Sequence, residues 1–174
     1  MLELIEPSVK YQASFLDALS EYRSLGEPHH AYDDLAEDNF QNFLFRLEQD
    51  SRGEFIAEGK VPQSFFWLVD SGLYIGRVAI RHKLNDKLRR VGGHIGYTIR
   101  PSERQKGYGK KILKMALPKA RGLGLVRALV TCDETNVASR KIIESCGGVL
   151  EDAMVIANTG KAKLRFWIDL NDVI

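Results

Sequence analysis

Arg100-Pro101-Ser102-Glu103-Arg104-Gln105-Lys106-Gly107-Tyr108-Gly109-Lys110-Lys111 is the stretch on which the reading of this chain turns. It separates two periodicities. Before it, Val91 to Arg100 alternates, with apolar Ile95, Tyr97 and Ile99 set against His94, Thr98 and Arg100, as in a strand. After it, Ile112, Leu113, Ala116, Leu117 and Ala120 recur at helical spacing as far as Gly122 and Gly124. Pro118 is an awkward member of that helix because it removes a backbone donor. The start of a helix offers unpaired N–H groups and the positive end of a dipole, which suit a phosphate. Gly107 and Gly109 let the backbone approach an anion, and Arg104, Lys106, Lys110 and Lys111 add positive charge. By itself a Gly-rich turn is weak evidence. A P-loop would need Ser or Thr where Lys111 stands, and a dinucleotide fingerprint would need a small residue where Ile112 stands.

Working outward, Leu2 to Pro7 reads as a first strand. Residues 10–24 and Asn39 to Arg52 read as helices, joined by a loop that starts at Gly26 and runs through Asp34. Ser64 to Val69 and Leu73 to His82 read as strands, with Asp70-Ser71-Gly72 as the hairpin turn between them. Beyond the helix come a strand at Val126 to Thr131, a helix at Asn136 to Cys146 closed by Gly147-Gly148, and strands at Val149–Ala157 and Lys163–Leu170. The order β-α-α-β-β-β-α-β-α-β-β predicts a mixed α/β (α+β) fold, one domain over residues 1–174 with a central sheet flanked by helices.

Composition agrees. The chain has 174 residues, 44% of them hydrophobic and 28% charged, enough for one domain with its own core. No apolar run is long enough to span a bilayer, and Met1-Leu2-Glu3-Leu4-Ile5-Glu6 lacks the start of a signal peptide, so a cytoplasmic protein is expected. Cys132 and Cys146 form no CxxC unit and are expected to be reduced thiols. The net charge of +2 hides an asymmetry: residues 21–58 hold ten acids and three bases, residues 81–121 thirteen bases and two acids. This suits either two solvated faces or an acceptor amine held at the acidic front and a phosphate-bearing cofactor held in the middle.

The motif Arg104-x-x-Gly107-x-Gly109, after a strand ending in Pro101, resembles the acyl-CoA motif of the GNAT superfamily of N-acetyltransferases. Asn136-Val-Ala-Ser-Arg-Lys-Ile-Ile-Glu-Ser-Cys-Gly147 resembles the next motif of that superfamily, and the element order matches over nearly the whole chain. Gly92-Gly-His-Ile-Gly-Tyr97 and Cys132-Asp-Glu-Thr-Asn136 are similar to a bacterial branch of predicted acetyltransferases. The resemblance implies a splayed sheet and an enzyme that moves an acetyl group from acetyl-CoA to a primary amine of a small molecule or peptide. It implies that the backbone of Tyr97, Thr98 and Ile99 pairs with the pantetheine arm like an added strand. Gly92, Gly93 and Gly96 fit a bulged strand there. It implies that the N–H groups of Gln105, Lys106, Gly107, Tyr108, Gly109 and Lys110, with Arg104, hold the pyrophosphate. Asn136 would reach the pantetheine, against a plain helix-capping role, and the Ile99 N–H would face the oxyanion. A homodimer is compatible with this reading.

One position departs from the pattern. The superfamily often places a Tyr seven residues after the Asn, where it protonates the departing thiolate; here the residue is Ile143. Cys132, Ser139, Tyr97 or water could substitute, since a thiol with a pKa near ~8.5 leaves tolerably unaided. The departure also admits a non-catalytic acyl-CoA-binding module. His94, with His82 behind it, is the candidate general base for the amine, against the plainer reading of strand histidines. Glu103 reads as a carboxylate at a helix start. His29-His30 with Asp33-Asp34 matches no strong ligand spacing, so no metal is expected. Phe65, Phe66, Trp67, Phe166 and Trp167 read as core, with one of each cluster free to line a cleft. The bases crowd one Gly-rich loop rather than spreading over a surface, which favours a compact polyphosphate over nucleic acid. The acidic front favours a cationic acceptor such as a polyamine.

Overall fold

In the computed structural model, which describes residues 1–27, 32–157 and 159–171, the hairpin forms where the turn residues predict it. Strands β2 (Gln63–Asp70) and β3 (Leu73–Arg81) pair antiparallel. The turn carries Ser71 at φ 50° and Gly72 at φ 86°, the left-handed pair that a two-residue hairpin loop requires. Around this hairpin a seven-stranded sheet is built, in the order β1 (Leu2–Ile5), β2, β3, β4 (Ile95–Ile99), β5 (Arg127–Asp133), β7 (Lys161–Asp169), β6 (Val149–Ile156). Every neighbouring pair is antiparallel except β4 and β5.

Two apolar layers hold the helices to the sheet. On one face lie α5 (Tyr108–Gly122) and α6 (Val137–Ser145). There Ile112, Leu113, Ala116 and Ala120 of α5 are fully buried against Val78, Ile80, Ile95, Ala128 and Phe166. Their i, i+4, i+8 spacing is what places them on one stripe. On the other face lie α1 (Gln12–Ser24), α2 (Asp33–Asp38) and α3 (Phe40–Arg52). Phe15 stacks on Trp67 at 4.7 Å and meets Tyr74 edge-on at 5.1 Å, with Phe40 and Phe43 around them. Phe66 and Phe166 belong to the first layer, Trp67 to the second, as alternation along a strand demands.

The structure departs from expectation in five places. Helix α5 continues through Pro118, which sits exposed, so only one helical hydrogen bond is forfeited. Helix α2 occupies the end of the segment read as a loop, and a one-turn helix, α4 (Asp86–Arg90), precedes β4. Both are short, with few apolar residues, so neither leaves a periodic signal. Strand β4 starts at Ile95 rather than Val91, because Gly92 at φ 118° and Gly93 at φ 64° form a turn. The bulge expected in that strand is absent: Gly96 pairs with Ala79 in an unbroken register, and the irregularity lies between β2 and β3 at Leu68 and Val69.

Candidate active site

Strands β4 and β5 touch at a single register position, Ile95 with Val130. Beyond it they part: β4 continues along β3 to Ile99, and β5 continues along β7 to Asp133. One end of the split is pinned. The His94 N–H donates to the Leu129 carbonyl at 2.7 Å, and the Leu129 N–H donates to His94 Nδ1 at 2.9 Å. Gly93 makes this approach feasible, since a Cβ there would lie 2.4 Å from the Leu129 oxygen. At the other end the Arg100 N–H donates to the Ile75 carbonyl. The antiparallel alternation then turns the backbone of Thr98 towards β3 and that of Tyr97 and Ile99 into the split. The Ile99 carbonyl accepts from Arg104 Nε at 3.0 Å.

The loop after β4 is braced from outside. Arg100 donates from Nε to Glu21 at 2.7 Å, and Glu21 also accepts from the Ser102 N–H at 3.0 Å. Burial would raise the Glu21 pKa, but the Ser102 and Arg100 bonds outweigh it and leave it lowered. Gln105 at φ 61° and Gly107 at φ 79° then curl the chain into α5. Among the described residues, none of the N–H groups from Gln105 to Lys110 has an acceptor. Six donors are thus gathered at one helix start, a concave arrangement suited to a polyanion. At Gly107 a Cβ would meet nothing within 4 Å, whereas at Gly109 it would lie 2.7 Å from Ile142 Cδ1. The first glycine opens the loop; the second lets α5 pack on α6.

Most of the charged side chains expected around this loop have partners within the protein. Arg104 makes a bidentate pair with Glu27 at 2.5 and 2.7 Å, which raises its pKa. Lys106 pairs with Glu103 at 3.0 Å. Lys111 lies over the Tyr108 ring at 5.0 Å, and Lys110 is exposed. The acids of the front third are consumed in the same way: Glu21 on Arg100, Glu27 on Arg104, Asp33 on Arg77, and Glu37 on Arg23. Three of these pairs, through Arg77, Arg100 and Arg104, clasp the α1–α2 segment to β3 and to the loop after β4. Among the described residues Asp38, Glu54 and Glu58 stay exposed at the acidic front.

Across the split, the Asn136 side chain accepts from the Ser139 N–H at 3.0 Å and caps α6; its amide nitrogen has no partner among the described residues. The Tyr97 hydroxyl reaches Ser139 Oγ at 3.2 Å, and burial pushes its pKa up to about 12. Cys132 is buried and its thiol is likewise raised by burial. Ile143 is fully buried in the core beneath α6.

The two candidate bases are placed elsewhere. His94 is buried, with Nδ1 engaged by Leu129; burial, then Arg89, Arg81 and Arg127, pulls its pKa down to about 4. The general-base role read for His94 does not survive this placement, because a ring so weakly basic and so occupied holds the strands together instead. His82 Nε2 is bonded to Ser64 Oγ at 2.9 Å. His29 and His30 lie outside the described residues. Among the described residues no cluster of three metal-ligating side chains occurs, and no helix is long and apolar enough to cross a membrane.

Sequence reasoning missed the second cavity. On the face opposite α5, a cleft of about 710 Å³ runs over Phe65, Trp67, Arg77, Ala79, Arg81, Gly96 and Thr98, walled by α3, residues 58–61 and α4. Strand β4 is thus shared, its backbone edge facing the split and its Gly96–Thr98 face lining this cleft. Arg77 and Asp33 form a buried bidentate pair in it at 2.6 and 2.9 Å. The signal was available: Arg77 and Arg81 interrupt an apolar strand at i, i+4, which puts both on one face.

A family model of the acetyltransferase (GNAT) domain matches residues 10–149. No curated protein sequence matches the chain. Among solved structures, the ribosomal-protein-S5-alanine acetyltransferase from Vibrio fischeri is similar at a TM-score of 0.70 and 16% identity, covering 99% of this chain and 95% of that one. The structure of yncA from Salmonella typhimurium, solved with its cofactor acetyl-CoA, is similar at 0.63 and 14%, covering 98% and 95%. The spermidine/spermine N-acetyltransferase SpeG from Vibrio cholerae is similar at 0.62 and 18%, covering 98% and 95%. At these identities the likeness is one of fold.

Proposed function

Because the chain belongs to the GNAT acetyltransferase family, we propose that it moves an acetyl group from acetyl-CoA to a primary amine of a small molecule or peptide by direct attack. The donor lies in the split between β4 and β5, and the acceptor enters from the cleft on the other side of β4. One observation carries this reading. On its β5 side the edge of β4 at Tyr97 and Ile99 has no paired strand, and this edge runs directly into a loop with six unspent N–H donors. An extended amide-bearing arm ending in a pyrophosphate is the ligand that uses both features. Gly107 leaves open space at that loop.

Each residue then has a task. Tyr97 and Ile99 bind the arm through their backbone, and Thr98 keeps β4 on β3. Gln105, Lys106, Gly107, Tyr108, Gly109 and Lys110 hold the pyrophosphate by N–H groups. Arg104 positions the loop by tying Glu27 to the Ile99 carbonyl. The Ile99 N–H stabilises negative charge on the acetyl oxygen. In the transfer a C–N bond forms, the C–S bond breaks, and the proton lost by the amine is balanced by one gained at sulfur. Ser139 is the proton donor to the thiolate, oriented by the Tyr97 hydroxyl at 3.2 Å. This pair replaces the Tyr that Ile143 lacks, and it favours turnover over a binding-only module. Asn136 orients Ser139 through its cap and offers its free amide nitrogen to the arm.

Thermal unfolding with and without millimolar acetyl-CoA tests the donor site. Binding to the folded state alone raises the melting temperature, and Gly107→Glu, which puts a carboxylate at the phosphate donors, should abolish the rise. Thiol release over an amine panel then separates enzyme from binding module. A folded protein with no acetyl-CoA shift would defeat the proposal.

A further inference from the structure

The cleft on the acceptor side is cationic. Lys60, Arg77, Arg81 and Lys87 line it, against the carboxylate of Glu58 among the described residues. Asp33 neutralises Arg77, but the Arg77 Nε is buried and has no partner. Arg81 has no carboxylate partner among the described residues. Its Nη1 donates to the carbonyls of Gly92 and Gly93, at 3.2 and 3.0 Å, and its Nε and Nη2 have no acceptor among the described residues. Burial lowers its pKa, as expected of a desolvated guanidinium without a counter-ion. A guanidinium held by two neutral carbonyls, with its remaining edge unspent, matches the fork of a carboxylate.

We propose that the acceptor is an amine that also carries a carboxylate, with Arg81 binding that carboxylate in the cleft. This rests on the acetyl-transfer reading and narrows its substrate class. The position supports it. A Cβ on Gly96 would lie 3.9 Å from Arg81 Nη1, so the guanidinium sits beside β4 at Gly96. Ile99 is three residues further on, roughly 10 Å of strand. The Ile99 N–H meets the acetyl oxygen, so the attacking amine and a carboxylate on Arg81 both fall within that span, which a small molecule covers. The apolar floor of Phe65, Trp67 and Ala79 is left for the rest of the acceptor. A polyamine would instead meet Lys60, Arg81 and Lys87.

The test pairs each of the twenty α-amino acids with its amide, adds spermidine, and measures both calorimetric binding without acyl donor and CoA-thiol release with acetyl-CoA. At least one acid should bind and turn over roughly tenfold or more better than its amide, the worth of one charge-assisted bond. Arg81→Gln should erase that ratio by raising KM for the acid far more than for its amide, and Arg81→Lys should restore part of it. No binding by any acid, equal use of acid and amide, a preference for spermidine, or a ratio that survives Arg81→Gln would each overturn the proposal. If Arg81→Gln does not fold, the acid-to-amide ratio of the parent decides. Binding is read without acyl donor, so failure of acetyl-CoA to bind would defeat the transfer reading and leave this result separately legible.

Discussion

Acidification should strip stability from this protein through His94 before its carboxylates begin to titrate. His94 is 7% exposed, its Nδ1 accepts from Leu129, and its pKa falls from 6.5 to about 4. Because the folded pKa is depressed, the unfolded chain binds the extra proton between those values. The contribution is complete above pH 6.5 and is lost as pH falls towards 4. The gap corresponds to about 3 kcal/mol over the whole window, of which about 2 kcal/mol is gone by pH 5. The lowered carboxylates Glu21, Asp70 and Asp152 lose their contribution only below their ordinary values of 4.5 and 3.8. The His82 pKa is also lowered by burial and acts in the same direction as His94, so a variant is needed to separate them. His94→Asn keeps an acceptor for the Leu129 N–H and removes the titration. Urea unfolding at pH 8 and pH 5 should show the parent losing about 2 kcal/mol more than His94→Asn. Equal losses in the two proteins would refute the assignment of His94 as a neutral pin between β4 and β5.

Other substitutions probe the frame around the site. Asp33→Ala should cost about 3–5 kcal/mol in urea unfolding, because it strands the Arg77 guanidinium in a buried pocket; the double variant Asp33→Leu with Arg77→Met should recover most of that. Gly76→Ala should destabilise by about 1–3 kcal/mol, since its Cβ would press within 2.5 Å of the Thr98 carbonyl and push β4 off β3. Gly109→Ala meets only the flexible tip of Ile142 and should change stability by less than about 1 kcal/mol; a larger loss would mean that α5 and α6 cannot adjust. Ser139→Ala should slow CoA-thiol release without altering the acetyl-CoA melting shift, whereas loss of both would assign Ser139 to binding.

What the sequence discloses and what it hides follow from how local each feature is. The α5 stripe, the Asp70-Ser71-Gly72 turn and the Gly107 loop are legible because each is written in a few adjacent residues. The sheet order is not, since the insertion of β7 between β5 and β6 depends on contacts far apart in the chain. The charges mislead for the same reason. Glu27 and Arg104 are 77 residues apart, and counting each by its own neighbours hides that they pair. His94 looks like a base because its partner is the Leu129 N–H, a backbone group that no side-chain pattern announces. Arg81 passes unnoticed because an arginine ending a strand is ordinary until its partners prove to be two glycine carbonyls.

The central claim is that acetyl-CoA lies along the open edge of β4 and ends at the α5 start. Backbone amide exchange, followed by NMR with and without saturating acetyl-CoA, tests it most directly. The account predicts that the amides of Tyr97, Ile99 and Gln105 to Lys110 become protected together on binding, while Thr98, already turned towards β3, changes little. Binding that leaves those amides exchanging as before would contradict the account.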